Sequence, residues 1–472
     1  MVIYVFIAAV YIVTENRSPQ STFAWLFVFI TLPILGIILY IFFGHGWRAF
    51  SQQNKIARQE LGSDLMQDLG DLRRRQGEYV DRIAAEKPTS FQQKILRLTN
   101  QNYNSILTGY NDVEILQDAS QKYPRLLADI KAAQHSIHLN YYIWTEDSFT
   151  LEVKEALIER AQAGVEVRCL YDTSGGTMSS QYLRDLTDNN VEIHPYLDYR
   201  YLTTLHTINY RSHRKMAVID GKIGYVGGLN LDIEQIKPPA AFDAWRDTHL
   251  RLVGEAAWAL QASFVVSWFN TTGQKVTGRQ YYAPIKTKNF MPVQITQGGP
   301  DSQWNAIRQL YFLMIVSAEN KIYLQSPFFV PDESLLEALK AAALAGLDVR
   351  LMCTPRGSTY QIPYRAANTY FQEVVEAGAK VYLYQAGYFH PKTLNIDNAV
   401  VTIGTANMDI RSFALNYETN AVVYDEGLAK QLEAQFLEDM KHCTEWTIEA
   451  YEKTSSVQRF IDSVYRLASP LL

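Results

Sequence analysis

His213-Arg-Lys215-Met-Ala-Val-Ile-Asp220 recurs at its polar positions as His390-Pro-Lys392-Thr-Leu-Asn-Ile-Asp397. Six residues beyond each Asp comes a short glycine-led segment ending in asparagine, Gly227-Gly228-Leu229-Asn230 and Gly404-Thr405-Ala406-Asn407. His, Lys, Asp, Gly and Asn thus hold the same offsets in two places. A lone His-x-Lys on a strand is ordinarily a solvated face; two copies with five shared offsets are one device built twice. The alternation of a strand would put His and Lys on one face. Residues 216–219 and 393–396 read as buried strands, Asp220-Gly221 and Asp397-Asn398 as hairpin turns, and 222–226 and 399–403 as return strands.

Two His, two Lys and two Asn in one place suit a phosphate. Ammonium groups bind its oxygens through charge-assisted hydrogen bonds, and glycine lets backbone approach a bulky anion. One imidazole can attack phosphorus while the other protonates the leaving oxygen. No Cys or His pair has zinc-ligand spacing, so no metal site is assigned.

The duplication extends beyond the motifs. His135-Ser-Ile-His-Leu-Asn-Tyr-Tyr-Ile143 parallels Lys321-Ile-Tyr-Leu-Gln-Ser-Pro-Phe-Phe329, and Ala163-Gly-Val-Glu-Val-Arg168 parallels Ala345-Gly-Leu-Asp-Val-Arg350. Each half reads strand, helix, strand, helix, strand, hairpin: an α/β fold of two repeats, expected to face each other across a pseudo-twofold axis with both motifs at the seam. Asp247-Thr-His-Leu-Arg-Leu-Val253 aligns with Glu418-Thr-Asn-Ala-Val-Val-Tyr424. An acid beside each His would fix its tautomer and stabilise the imidazolium; the alternative is a strand-edge acid pairing with an Arg. The first half carries six extra residues before its acid, near 233–244, and a longer Tyr- and Arg-rich approach to its His, through Tyr196 to Arg211. That loop is a candidate headgroup contact or a packing loop. Pro391 removes a backbone donor, which predicts a strand edge or bulge there.

The net charge of −5 argues against a nucleic-acid binder, and three scattered cysteines suit reduced structural thiols. Residues 22–43 contain no charge. As one helix they would span about 33 Å, enough for a bilayer core. Residues 1–13 are also apolar but short, and with Glu15 to Gln20 as the turn they predict a membrane-anchoring helical hairpin. Arg48, Lys55, Arg58 and Arg73 to Arg75 flank the far side, so the positive-inside rule puts the large domain in the cytoplasm. The expected domains are an anchor over 1–47, an amphipathic helical linker over 48–105, and two repeats over 106–285 and 286–472. In the linker, Ile56, Leu61, Leu65 and Leu69 predict a helix packed on the enzyme or on a second copy, with an interfacial helix as the alternative. The tail from about Val457, apolar at helical intervals, reads as core or membrane-face packing.

The twin motif resembles the phospholipase D superfamily and, within it, the bacterial cardiolipin synthases. Further support lies in Glu15-Asn-Arg-Ser-Pro19, Ala24-Trp25-Leu26, Trp245-Arg-Asp-Thr-His249, Asn407-Met-Asp-Ile-Arg-Ser-Phe413 and Arg466-Leu-Ala-Ser-Pro-Leu-Leu472. The resemblance implies an enzyme of the bacterial cell membrane acting on phosphatidylglycerol among anionic membrane lipids, with no cofactor; a homo-oligomer stays open. It implies His213 as nucleophile and His390 as general acid, then base. Lys215, Lys392, Asn230 and Asn407 would steady the phosphoryl oxygens, with Gly228 and Thr405 supporting and Asp247 and Glu418 orienting the imidazoles. Asp220 and Asp397 complete the motifs, a structural role at the turns being their alternative. Water or another alcohol as acceptor, a nuclease, and a silent lipid-binding scaffold are the competing functions.

Overall fold

The computed structural model describes residues 2–15, 19–40, 44, 60–65, 67–86, 90–101, 105–200, 205–302, 304–355 and 361–471. Two sets of seven strands correspond one to one. The first is β1 (Ser105–Gln117), β2 (Ser136–Tyr141), β3 (Glu166–Asp172), β4 (Val191–Tyr196), β5 (Lys215–Ile219), β6 (Ile223–Gly227) and β7 (Thr248–Gly254). The second is β8 (Phe290–Gly298), β9 (Lys321–Gln325), β10 (Asp348–Cys353), β11 (Lys380–Tyr384), β12 (Thr393–Ile396), β13 (Val400–Gly404) and β14 (Asn416–Val423), with β15 (Cys443–Trp446) added at the edge. They form one sheet in the order β15-β11-β10-β9-β12-β13-β14-β8-β1-β7-β6-β5-β2-β3-β4, so the order reads alike outward from the β8–β1 pair. The outer strands β2-β3-β4 and β9-β10-β11 run parallel. Helical crossovers connect them, as parallel neighbours require.

Local chemistry explains the hairpins. Asp220 and Gly221 have φ of 51° and 59°, and Asp397 and Asn398 have 54° and 53°. These left-handed pairs make the tight turns that match strand twist. The expected strand for His-x-Lys needs correction. β5 begins at Lys215 and β12 at Thr393, so both histidines precede the strands. Pro391 falls in the gap between the two-residue strand Tyr388–Phe389 and β12, where its missing N–H costs no ladder bond.

The linker helices α4 (Gly70–Glu86) and α5 (Ser90–Gln101) pack on the enzyme. Leu61, Leu69, Leu72, Tyr79 and Ile83 are buried in the main core. Arg75 and Tyr79 reach the buried Glu255 at 2.7 and 3.0 Å. Glu255 opens α6 (Glu255–Thr272), a helix apolar around most of its girth and buried along the sheet. Ile56 lies outside the described residues.

At the N-terminus, α1 (Val2–Thr14), α2 (Pro19–Thr31) and α3 (Pro33–Leu39) are short. The continuous helix expected over 22–43 breaks at Leu32, whose φ of −130° leaves the helical region immediately before Pro33. The pyrrolidine ring disfavours helical backbone in the preceding residue and carries no N–H. Among the described residues, no helix is long and apolar enough to cross a membrane; 41–43 lie outside them. Ile12, Phe29 and Tyr40 cluster, and Tyr40 donates to Glu15 at 2.7 Å. Phe6, Ile7, Phe23, Phe27 and Ile34 are exposed.

Candidate active site

Backbone pairing between the halves sets the geometry. Arg211–Ser212 runs parallel to Asn416 and Tyr417 of β14, and Trp245–Arg246 runs parallel to Tyr388–Phe389. The next amide crosses too: His213 N–H donates to the Tyr417 carbonyl at 3.0 Å and His390 N–H to the Arg246 carbonyl at 2.8 Å. Each histidine is thereby laid beside the acid of the opposite half. His213 donates from Nδ1 to the Glu418 carboxyl group at 2.9 and 3.0 Å, and His390 from Nδ1 to Asp247 at 2.7 Å. With Nδ1 engaged, Nε2 of each ring is left for chemistry.

The lysines turn back onto their own motifs. Lys215 Nζ donates to the His213 carbonyl at 2.7 Å and Lys392 Nζ to the His390 carbonyl at 2.6 Å. Both are buried, and burial lowers both ammonium pKa values, Lys392 to about 8 and Lys215 well below its usual range. Burial and then the charge of Lys392 push His390 down to about 3 against the pull of Asp247. Burial, Lys215 and Lys392 likewise push His213 well down. Each lysine acts on the histidine of the other half as well as its own, so the two motifs make one electropositive site, with both imidazoles neutral when no anion is present.

The acids differ. Burial pushes Asp247 up, but His390, Lys392 and the Thr248 amide outweigh it and hold the carboxyl below its ordinary range. Burial lifts Glu418 to about 8 in spite of Lys215. Negative charge is therefore concentrated behind His390.

Gly228 and Thr405 occupy matching places, each donating its amide to a Thr carbonyl of the neighbouring acid strand at 3.0 Å. A Cβ on Gly228 would come within 2.0 Å of Asp247 Oδ1. Thr405 instead donates its hydroxyl to Glu418 at 2.5 Å. Asn230 accepts the Ile143 amide at 3.1 Å, whereas Asn407 Oδ1 is buried with no hydrogen-bond partner among the described residues.

Asp220 and Asp397 are not brought to this site. Asp220 accepts the amides of Gln134, His135 and Ser136, and Asp397 those of Glu319, Asn320 and Lys321, at the far ends of β5 and β12. Burial raises the Asp220 pKa, but the three amides outweigh it and hold the carboxyl below its ordinary range. The geometry corrects the expectation of a catalytic place for these two: they clasp the turns leading into β2 and β9.

The family profile described as "Cardiolipin synthase, PLD-like domain" matches residues 126–238 and 311–440. The cardiolipin synthase of Listeria monocytogenes serotype 4b (strain CLIP80459) is 38% identical over 480 residues, covering 100% of this chain and 98% of that protein. This chain belongs to the bacterial cardiolipin synthases. Another member of the family, from Geobacillus sp. (strain WCH70), is 39% identical over 471 residues, 99% of this chain and 92% of the relative. A profile described as "Phospholipase_D-nuclease N-terminal" matches residues 3–45. Among solved structures, the phosphatidylserine synthase of Haemophilus influenzae Rd KW20 superposes with a TM-score of 0.60 at 14% identity, over 80% of this chain and 100% of that one, a likeness of fold.

Several neighbours of the cardiolipin synthase motifs were not legible as such. Tyr142 lies edge-on to His213 with ring centres 5.0 Å apart, and Trp245 and Tyr388 flank His390 at 5.5 and 5.7 Å. Trp245, two residues before Asp247, gave the nearest hint. Lys122 is fully buried and donates to the carbonyls of Leu229 and Asn230 at 3.3 and 3.1 Å, holding the first glycine-led segment. A lysine in an amphipathic helix ordinarily faces water, so its spacing carried no such message. In the Tyr- and Arg-rich approach, Asn209 accepts Arg411 through its backbone carbonyl at 2.6 Å and its side chain at 3.1 Å; residues 201–204 lie outside the described ones.

Proposed function

We propose that this chain transfers a phosphatidyl group from one phosphatidylglycerol to the primary hydroxyl of another, releasing glycerol and forming cardiolipin. His213 Nε2 attacks phosphorus, the bond to the glycerol oxygen breaks, and that oxygen takes a proton from His390. The hydroxyl of the second lipid then gives its proton to His390 and attacks phosphorus, and the phosphorus–nitrogen bond breaks. Lys215, Lys392 and the amides of Asn230 and Asn407 steady the phosphoryl oxygens. The crossed His–acid pairs carry this reading. The charge behind His390 favours an imidazolium there, which suits the proton carrier, and leaves His213 as the nucleophile. A bound anionic phosphodiester would raise the depressed His390 pKa and load that proton.

The halves read as repeats related by a pseudo-twofold axis, over 106–285 and 286–472, supported by the mirrored strand order. Residues 1–47 read as the membrane anchor, on the exposed apolar side chains of α1 to α3, with the enzyme on the cytoplasmic side. Anchoring keeps the second lipid at high effective concentration, which helps it compete with water. The test is incubation of the purified chain with phosphatidylglycerol: cardiolipin with equimolar glycerol is expected, and phosphatidic acid alone would overturn the reading.

A further inference from the structure

The last long helix of the described chain is α9 (Ser456–Arg466), and it is seated the wrong way round for a surface helix. An amphipathic helix normally buries its apolar stripe. Here polar side chains face the protein, beside the half-buried Ile461 and Tyr465. Asp462 is fully buried, 3.0 Å from Asn368 Nδ2 and 2.7 Å from Gln458 Nε2, with Arg365 at 3.5 Å. Arg466 pairs with Glu373 at 2.6 Å and lies over the Tyr370 ring at 4.2 Å. Arg365, Asn368, Tyr370 and Glu373 all belong to α7 (Ile362–Glu376), and Tyr451 also hydrogen-bonds Asp462. The opposite stripe, Val457, Phe460, Val464 and Leu467, is 66%, 69%, 45% and 80% exposed. Their spacing of three, four and three residues keeps them on one face.

Two observations say what covers that stripe. In residues 453–472 Asp462 and Arg466 are paired within the protein, which leaves Lys453 and Arg459 to give the segment its net charge of +2 on a chain of −5. The stripe is also tied to an element next to the active site through the turn that follows it. Just beyond it, Ser469 Oγ lies 2.9 Å from Tyr370 Oη, and the turn Ser469–Leu471 rests on α8 (Ile410–Ala414). That helix begins three residues after Asn407 and bears Arg411, whose charge reaches His213. We propose that α9 lies on an anionic bilayer surface, its stripe among the acyl chains and Lys453 and Arg459 at the headgroups, and so presents the His213–His390 site to lipid. This rests on the lipid substrate of the proposed function. The docking is distinct from the anchor at the N-terminus, because its polar face is fastened to the folded enzyme and fixes how the site meets the membrane.

The test uses the full chain in vesicles of phosphatidylcholine with phosphatidylglycerol. An environment-sensitive fluorophore is placed at F460C, or at E152C as control, in a C443S background. Blue-shifted emission at 460, quenched by brominated lipid, with neither effect at 152, is expected. A shift that brominated lipid does not quench would mean that protein covers the stripe, a second copy or the apolar N-terminus, and overturns the proposal; so does the absence of any shift. In parallel, V457S/F460S/L467S is expected to make cardiolipin about tenfold more slowly than the unaltered chain on vesicles and equally fast in detergent micelles. Equal rates in both media overturn the proposal. An unaltered chain that makes no cardiolipin in either medium refutes the functional reading instead, and the fluorescence still decides the docking.

Discussion

His213 donates from Nδ1 to Glu418 at 2.9 Å, across 205 residues of sequence, while the acid nearer to it in the chain, Asp247, serves His390. The two halves therefore complete each other's histidines, and neither half contains a working His–acid pair. Double-mutant cycles on thermal stability should show coupling of about 0.5–3 kcal/mol for His213 with Glu418 and for His390 with Asp247. His213 with Asp247 should be additive. Coupling within each half would contradict the crossed arrangement.

Gly228 leaves the space that Asp247 fills. Gly228→Ala should push the carboxylate away from His390 and lower kcat by about 10²–10⁴-fold, the range for a misplaced acid–base group, with the fold intact by circular dichroism. Full activity in this variant would mean that Asp247 does not orient His390. At the matching position, Thr405→Ser should retain activity, because it keeps the hydroxyl that Glu418 accepts.

Asp220 and Asp397 clasp turns. Asp220→Ala leaves three amides without their acceptor and should cost about 1–3 kcal/mol of stability, read by denaturant unfolding. The turnover number of the folded enzyme should stay close to that of the unaltered chain. A stable but inactive variant would restore a catalytic role to this acid.

Acid should weaken the fold through His390. Its pKa is depressed to about 3 by burial and Lys392, against about 6.5 in the unfolded chain, so the unfolded chain binds the extra proton between those values. The corresponding stability is fully present above about pH 6.5 and is lost as the pH falls toward 3. Melting temperatures taken from pH 7 down to 4 should fall more steeply for the unaltered chain than for His390→Gln. Parallel curves would exclude His390 as a source of this acid sensitivity.

Much of this was legible in the chain. The doubled motif, the hairpins at Asp220 and Asp397 and the matching βα units follow from local rules of turn chemistry and strand periodicity. Those rules depend on neighbours in sequence. The N-terminal run marked a strongly apolar segment, but one proline converted a single long helix into α2 and α3. At the other end, the apolar spacing from Val457 was plain, whereas the face it presents was not; that depended on where Asp462 found its partners in α7.

The sequence by itself determined the reacting groups, because His, Lys, Asn and an acid at repeated offsets carry their chemistry wherever they are folded. Only the tertiary structure decided which acid serves which histidine, and that Asp220 and Asp397 stand away from both. Parallel pairing of Arg211–Ser212 with β14 and of Trp245–Arg246 with Tyr388–Phe389 swaps the partners between halves. Offsets along one chain fix what lies within a few residues, while hydrogen bonds between distant strands fix what lies across a seam.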